Sequence, residues 1–136
     1  MVRLTIRSEK GAFFDQEVDY VLLPTERGPL QFQAGCTPSI VRCVEAGVLK
    51  VVIQDKPKFF AIFHGLADVR PEGVHLLVEE VEDGYEIDMA RAIARRDRAL
   101  DIIHNANDSE DVQFARISLA KQLARISAKN LDAGHK

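Results

Sequence analysis

The composition of this chain changes abruptly near residue 86, and this break constrains the fold more than any other feature. Before it, short runs of β-branched and aromatic residues are separated by Gly and Pro. After it, Ala, Leu, Arg and Asp predominate, Pro is absent and Phe114 is the only aromatic residue. The first pattern is typical of short strands and the second of helices. We therefore predict a β domain over residues 1–85 and a helical domain over residues 86–136.

The β domain consists of short runs that end at turn residues. Val2, Leu4 and Ile6 alternate with polar residues, as expected of a strand with one buried face. About ten strands fit the whole pattern, and because no helical period lies between them we predict an antiparallel β-sandwich. Residues 48–53 and 59–63 are nearly continuous apolar runs, so the helices or a partner protein must cover their second face.

The sequence after residue 86 predicts two helices. Asp83 lies in the turn before them, and Asp88 lies where the helix dipole favours an anion. The first helix is predicted to end near residue 105, with Asp108 as the N-cap of the second helix and Gly134 as its C-terminal stop. A short connection makes such a pair an antiparallel hairpin. The alanines of these helices bury little apolar area, so we expect the hairpin to be weakly docked and able to detach.

Charge and hydropathy argue against several classes of protein. The chain has a net charge of −3, and its two domains carry −4 and +1, so neither has the basic excess of a nucleic-acid-binding domain. No apolar run approaches the roughly 18 residues of a membrane span, and the first residues do not resemble a signal peptide. Cys36 and Cys43 match no metal or redox spacing and are predicted to be free thiols. We expect a cytosolic protein that reaches a membrane only through partners.

No set of residues has the spacing of an active site. The four histidines lie on separate predicted elements, and neither a nucleophile elbow nor a glycine-rich phosphate loop is present in the sequence. The acidic cluster at residues 79–83 lacks the alternating ligands of a calcium loop and is more typical of a solvated strand. We therefore predict no catalytic residues, no metal site and no enzyme activity of the chain by itself.

Cationic residues recur at helical spacing in the second domain. Arg91, Arg95 and Arg98 follow one face of the first helix, and Lys121 and Arg125 lie four residues apart on the second. If the hairpin closes, these cations converge with acidic residues near the seam around a polyanion. The same spacing is also typical of a solvated helix surface, so it leaves both interpretations open.

Two segments of the chain resemble a known family. Residues 87–92 read Ile-Asp-Met-Ala-Arg-Ala and match an Ile/Leu-Asp-x-x-Arg-Ala motif. Residues 21–38 are similar to a segment with a Gly-x-x-x-Leu-Pro-Gly-His-x-Pro loop and keep Gly35 and Pro38, but not the histidine. Both patterns belong to the epsilon subunit of the bacterial and chloroplast F-type ATP synthase, which the chain resembles from residue 4 to about residue 128.

The resemblance implies a site for ATP as a regulatory ligand, with no cofactor required. Some bacterial epsilon subunits bind ATP through the motif at 87–92 together with flanking charged residues. Lys121 stands where those members have an arginine, and lysine lacks the planar fork of arginine. Carried over position by position, the implied ATP-binding residues are Glu82, Ile87, Asp88, Arg91, Ala92, Arg98, Lys121 and Arg125.

The resemblance also implies partners. The β domain is expected to bind the gamma subunit and the membrane rotor ring, as a non-catalytic central-stalk subunit on the cytoplasmic face of the bacterial plasma membrane. The residues of its ring-facing loop are Gln31, Phe32, Gly35, Cys36 and Pro38. When extended, the helices are expected to reach the alpha and beta subunits of the catalytic head and to inhibit ATP hydrolysis. The arginines implied in that contact are Arg91, Arg95, Arg96, Arg98 and Arg125.

Two other functions are compatible with the residues alone. One is a free-standing β-sandwich that binds a glycan or a peptide, with the helical hairpin as a dimerisation element. The other is a small nucleotide-sensing protein outside any ATPase. Co-purification with alpha, beta and gamma subunits separates the stalk subunit from both.

Overall fold

A computed structural model describes residues 1–105 and 109–134, and it contains eight strands followed by two helices. The strands are β1 Val2–Ser8, β2 Gly11–Val18, β3 Tyr20–Thr25, β4 Gly28–Phe32, β5 Ser39–Arg42, β6 Ala46–Ile53, β7 Lys56–Val69 and β8 Gly73–Asp83. A 3-10 turn at Gly84–Glu86 leads to the helices α1 Met89–Asn105 and α2 Ser109–Ala133. The predicted fold class, a β-sandwich followed by a helical pair, is confirmed.

The described residues form eight strands rather than about ten, and β7 is a single strand of 14 residues. It is continuous through His64, whose φ is 49°, and its inward-facing positions change there from Phe60 and Ile62 to Ala67 and Val69. Its first part pairs with β6 and its last part with β5. On one side of β7, the neighbouring strand therefore changes from β6 to β5 near His64.

The sheet is antiparallel, as predicted, except at one strand pair. β1 runs parallel to β8, with Leu4 opposite Val74 and Ile6 opposite Leu76. A parallel pair needs a long connection, and the six strands between β1 and β8 in the chain provide it without a crossover helix. The resulting strand order is β2-β1-β8-β7-β6-β3-β4, with β5 also paired to β7.

The core of the sandwich is built from large apolar side chains at alternating strand positions. Phe60 is fully buried, and the rings of Phe13 and Phe14 meet its ring edge to face with centroids 5.9 and 5.8 Å away. The other fully buried core residues include Leu4, Ile6, Leu23, Leu49, Ile62 and Leu76. Burial of each such side chain stabilises the fold by roughly 1.5–3 kcal/mol.

The hairpin lies on one outer face of this sandwich. α2 packs on β6 and β7, and α1 packs on α2. The contact cluster is small and consists of Ala61, Phe63, Ile87, Ala124 and Ala128. A Cβ atom at Gly84 would lie 2.8 Å from the Phe59 carbonyl oxygen and 2.9 Å from that of Ala128. A glycine at position 84 therefore allows α2 to approach the end of the sandwich this closely.

The ends of the helices follow their capping residues. The Asp88 carboxylate accepts a hydrogen bond from the backbone N–H of Arg91 at 3.1 Å, which caps α1. The N–H of Gly134 donates to the Asn130 carbonyl at 3.1 Å, where α2 ends. The predicted N-cap Asp108 lies outside the described residues. The division of the chain at residues 85 and 86 stays a prediction, and the 3-10 turn spans it.

Candidate functional site at the hinge of the hairpin

A cavity of about 350 Å³ lies where β8 passes into α1. Its lining residues are Glu82, Glu86, Ile87, Asp88, Arg91, Ala92, Arg95, Gln122 and Arg125. Six of the eight predicted ATP-binding residues are among them. The remaining two do not line this hinge cavity: Arg98 lies farther along α1 and Lys121 on α2.

Arg125 binds the sandwich rather than pointing freely into the hinge cavity. Its Nε and Nη2 atoms lie 2.9 and 2.7 Å from Glu82 Oε1, and Nη2 lies 3.4 Å from Glu80 Oε2. The guanidinium carbon is 4.8 Å from the centroid of the Phe63 ring. The side chain is only 13% exposed, and charge-assisted hydrogen bonds and cation–π contacts strengthen when water is partly excluded.

Lys121 supports the same contact less strongly. Its Nζ lies 3.8 Å from Glu80 Oε1 and 5.5 Å from the centroid of the Phe63 ring. We call Glu80, Glu82, Phe63, Lys121 and Arg125 the α2 clamp. The sequence resemblance identified three of its members but missed Glu80 and Phe63. The alternation of two glutamates along β8 was a signal for Glu80, whereas no local pattern indicates Phe63.

The arginines of α1 differ from those of the clamp. Arg91, Arg95 and Arg98 are exposed, and among the described residues they form no ion pair. Arg96 pairs with its neighbour Asp97 at 3.0 Å. The predicted cationic stripe is therefore present along α1 and available for an anionic partner.

A larger cleft, of about 840 Å³, separates the two helices beyond the hinge. Its lining residues are Arg95, Arg98, Ala99, Asp101, Ile102, Asn105, Asp111, Phe114, Ala115, Ser118 and Gln122. Arg91 and Arg125 line the hinge cavity while Asn105 and Asp111 line the cleft, so α1 and α2 run antiparallel, as predicted.

Gln122 lies at the boundary of the two cavities and lines both. It is only 3% exposed, and its Oε1 has no hydrogen-bond partner among the described residues. A buried carbonyl oxygen left without a donor costs about 1–3 kcal/mol. The packing of α1 on α2 thus contains a polar group that another arrangement, or a ligand, can satisfy.

Comparisons with known proteins identify the family. Residues 1–84 match the family described as ATP synthase, Delta/Epsilon chain, beta-sandwich domain. The ATP synthase epsilon chain of Bordetella avium is 31% identical over 98% of this chain and 95% of its own length. That of Staphylococcus saprophyticus is 30% identical over 94% and 96%, respectively. The chain belongs to the ATP synthase epsilon chain family. The predicted family, the epsilon subunit of an ATP synthase, is therefore confirmed.

Two solved structures share the fold at low sequence identity. A chain of the Euglena gracilis mitochondrial ATP synthase complex of OSCP, F1 and c-ring matches with a TM-score of 0.84 and 21% identity, over 93% of this chain and 80% of that one. A chain of the Tetrahymena thermophila mitochondrial ATP synthase central stalk and c-ring matches with a TM-score of 0.62 and 14% identity, over 94% and 96%. Within the described residues, no helix of this family member is long and apolar enough to cross a membrane.

The loop predicted to face the rotor ring is held against the end of the sandwich. Gly35 has a φ of 81°, which favours glycine, and its N–H donates to the Pro71 carbonyl at 3.0 Å. The Cys36 thiol lies 3.5 Å from the Arg70 carbonyl oxygen. Of the other predicted loop residues, Gln31 and Phe32 end β4, and Pro38 immediately precedes β5. The loop is thus anchored by the turn between β7 and β8.

The outer surface of the sandwich carries an apolar patch that was not predicted from the sequence. Leu66 on β7 lies opposite Leu77 on β8, and both are exposed. Ile40 on β5 is 74% exposed and lies opposite Asp68, which is two residues from Leu66 along β7. Three apolar residues thus face outward on adjacent strands. The available signal was the unbroken apolar run around Leu77, where alternation predicts a polar residue.

Proposed function

We propose that this chain joins the gamma subunit to the membrane rotor ring, and that its helical hairpin is a movable brake on ATP hydrolysis. The observation that carries the proposal is the way α2 is docked, through the polar α2 clamp and a few alanines instead of a large apolar core. Such an interface separates without exposing the sandwich core, and the two states need differ by only a few kcal/mol.

The outer surface of the sandwich offers the docking sites for these partners. The apolar patch of Ile40, Leu66 and Leu77 suits the gamma subunit, because a cluster of exposed apolar side chains is typical of a protein-binding surface. The anchored loop at residues 31–38 suits the rotor ring. The similar Euglena and Tetrahymena chains belong to assemblies that contain a c-ring.

A single charge on the patch tests the gamma contact. Leu77→Asp should weaken binding of the purified chain to the gamma subunit by about tenfold or more, while leaving the circular dichroism unchanged. Leu131→Asp places the same charge at an exposed position on α2 and serves as the control. Equal binding by the two variants would contradict the assignment of the patch.

The brake acts through arginines when the hairpin is extended. Arg91, Arg95 and Arg98 are already free to meet acidic residues of the beta subunits. Arg96 has to break only its ion pair with the exposed Asp97, whereas Arg125 must first leave the α2 clamp. The complex would work at the cytoplasmic face of the bacterial plasma membrane, since the relatives in Bordetella and Staphylococcus are bacterial.

Truncation after Asp83 tests the braking role. The truncated chain retains every strand of the sandwich, so it should still assemble with the synthase. ATP hydrolysis by the assembled complex should rise, because the inhibitory arginines are gone. Hydrolysis equal to that of the full-length complex would rule out the brake, whereas failure to assemble would place the docking site in the helices.

A second candidate function is ATP sensing by the closed hairpin. It is favoured by the hinge cavity, which gathers six of the eight predicted ATP-binding residues. A nucleotide bound only when the helices are closed shifts the equilibrium toward the docked state. Isothermal titration of the isolated chain with MgATP should give saturable heat, and absence of heat at millimolar nucleotide would exclude this function.

A further inference from the structure

A row of four side chains crosses four neighbouring strands on the outer surface of the sandwich. Leu77 on β8 lies opposite Leu66 on β7 at the centre of this row. Arg7 on β1 is the register partner of Leu77, and Arg42 on β5 is that of Leu66. We propose that the two arginines select a gamma-subunit surface that carries carboxylates on both sides of an apolar centre. The proposal rests on the proposed gamma contact of the apolar patch and adds the charge that the partner must carry.

The alternation of each strand turns all four side chains of this arginine-flanked row outward. The residues that precede or follow the row along the four strands lie in the sandwich core or pack against it: Ile6, Leu76, Ala67 and Val41. Because successive residues of a strand point to opposite faces, the row itself faces away from the core. Leu66 and Leu77 are 45% and 56% exposed, and Arg7 and Arg42 are exposed as well. The row is therefore accessible to a partner protein.

The two arginines of the row are not neutralised within the chain. Among residues 1–105 and 109–134, neither Arg7 nor Arg42 forms an ion pair. Asp15 and Asp68 are also exposed, but other arginines already bind them at 2.7 and 3.3 Å. A guanidinium group can bind a carboxylate through two parallel hydrogen bonds. Arg7 and Arg42 therefore retain their donors for carboxylates of a partner.

Carboxylates of the chain itself lie at one end of the apolar patch. A cavity of about 540 Å³ there is lined by Arg42 together with Glu26, Glu45 and Glu79. Glu79 lies 3.9 Å from His64 Nε2, and none of the three glutamates forms an ion pair with Arg42. A basic partner would favour this end of the patch. The arginines, by contrast, lie on both sides of the leucines, so a partner that covers the leucines meets both guanidinium groups.

The spacing of the strands sets the width of the partner surface. Two strands, β8 and β7, separate β1 from β5, so three intervals of about 4.8 Å place Arg7 and Arg42 about 14 Å apart. The matching surface has an apolar centre of this width with a carboxylate at each side. An apolar centre within a polar rim is the usual anatomy of a protein interface. Charges at such a rim act mainly on partner choice and on the rate of association.

Charge reversal in the full-length chain tests the selection. Arg7→Glu and Arg42→Glu should each weaken binding to a complex of alpha, beta and gamma subunits by about tenfold, mainly through slower association. Both variants should also show a weaker dependence of affinity on salt. Lys56→Glu is the control, because Lys56 is an exposed cation ten residues from Leu66 along β7, and it should change the affinity by less than about twofold.

The variant Leu77→Asp separates failure of this proposal from failure of the gamma contact. Loss of affinity in Leu77→Asp with wild-type affinity in both arginine variants would overturn the selection by charge but keep the contact. Tighter binding of the arginine variants would overturn the selection as well, since it would reveal a basic partner. Wild-type affinity in Leu77→Asp and in both arginine variants would overturn the gamma contact itself. Circular dichroism verifies that each variant is folded.

Carbodiimide cross-linking identifies the carboxylates of the partner. Arg7→Lys and Arg42→Lys keep the positive charge and supply an amine, which a carbodiimide joins to a touching carboxylate as an amide. In the assembled complex, mass spectrometry should find the new amine of each variant linked to an acidic residue of the gamma subunit. The native amine of Lys56 should give no such link. Absence of a link to gamma from both variants, in a complex that still assembles, would overturn the proposal.

Discussion

The sandwich and the hairpin bury side chains of very different size. The sandwich core contains Phe, Leu, Ile and Val that are almost completely inaccessible. The buried residues of α1 are Ala92 and Ala99, and those of α2 are Ala115, Gln122, Ala124 and Ala128. Because apolar stabilisation scales with buried area, the sandwich core is strongly stabilised, whereas the hairpin is held by a small apolar cluster and a few polar contacts. The comparison explains how a stable sandwich can carry a hairpin that is docked less firmly.

The largest expected effect is the loss of a core side chain from the sandwich. Phe60→Ala removes a fully buried ring and leaves a cavity, so the free energy of unfolding should fall by about 3–5 kcal/mol. Urea unfolding followed by circular dichroism measures this loss. Phe114→Ala deletes the same side chain from an exposed helix position and should cost less than about 0.5 kcal/mol. Similar losses of unfolding free energy in the two variants would contradict the conclusion that the sandwich core stabilises the protein more than the helix surface does.

Local patterns in the sequence predicted much of this architecture. Alternation identified β1, the change to helical period marked the hairpin, and Asp88 indicated the start of α1. The motif at residues 87–92 identified the residues that gather at the hinge cavity. Each of these features depends on neighbours a few residues apart, which is the range over which a sequence pattern carries information.

Features that depend on distant residues could not be predicted in the same way. The parallel pairing of β1 with β8 joins residues about 70 positions apart and follows from closure of the whole sandwich. Phe63 enters the α2 clamp because β7 presents it to a helix more than 50 residues later. The apolar patch arises only when β5, β7 and β8 lie side by side. Such contacts are set by topology, which the local period does not encode.

A second prediction uses the buried thiol of the sandwich. Burial raises the pKa of Cys43 to about 11, from an ordinary value of 9.0. The thiol is therefore neutral in the folded protein at pH values where it ionises in the unfolded chain. The contribution of this neutral thiol to the free energy of unfolding is fully present below pH 9. It is lost as the pH rises towards 11, by about 2–3 kcal/mol in all.

Paired unfolding measurements isolate this contribution from the other groups that titrate in alkali. The difference in unfolding free energy between the wild type and Cys43→Ala should shrink as the pH is raised from 8 to about 11. Cys36→Ala, at the half-buried cysteine of the loop, is the control. A Cys43→Ala difference that stays constant with pH would show that the thiol is not buried as described.

The third prediction separates the hairpin from the sandwich. Arg125→Met removes the guanidinium from the α2 clamp, so α2 should open more readily, by about 1–3 kcal/mol. Hydrogen exchange should accelerate at the α2 amides and stay unchanged at β6 and β7 amides in the sandwich. High salt should also accelerate hydrogen exchange at the α2 amides of the wild type, because it screens the ion pairs of the clamp. Equal acceleration in both regions would mean that the hairpin and the sandwich open together.

The smallest expected effect concerns the weaker cation of the clamp. Lys121 lies 3.8 Å from Glu80, and both side chains retain access to water, so its ion pair contributes less than about 1 kcal/mol. Lys121→Met should therefore accelerate α2 hydrogen exchange far less than Arg125→Met does, because the methionine keeps the apolar stem on Phe63. Lys121→Arg should slow it slightly, since the planar guanidinium can bind Glu80 with two donors. Equal acceleration of α2 hydrogen exchange in Lys121→Met and Arg125→Met would mean that the two cations stabilise the docked helix equally. The closer contacts of Arg125 would then not govern docking.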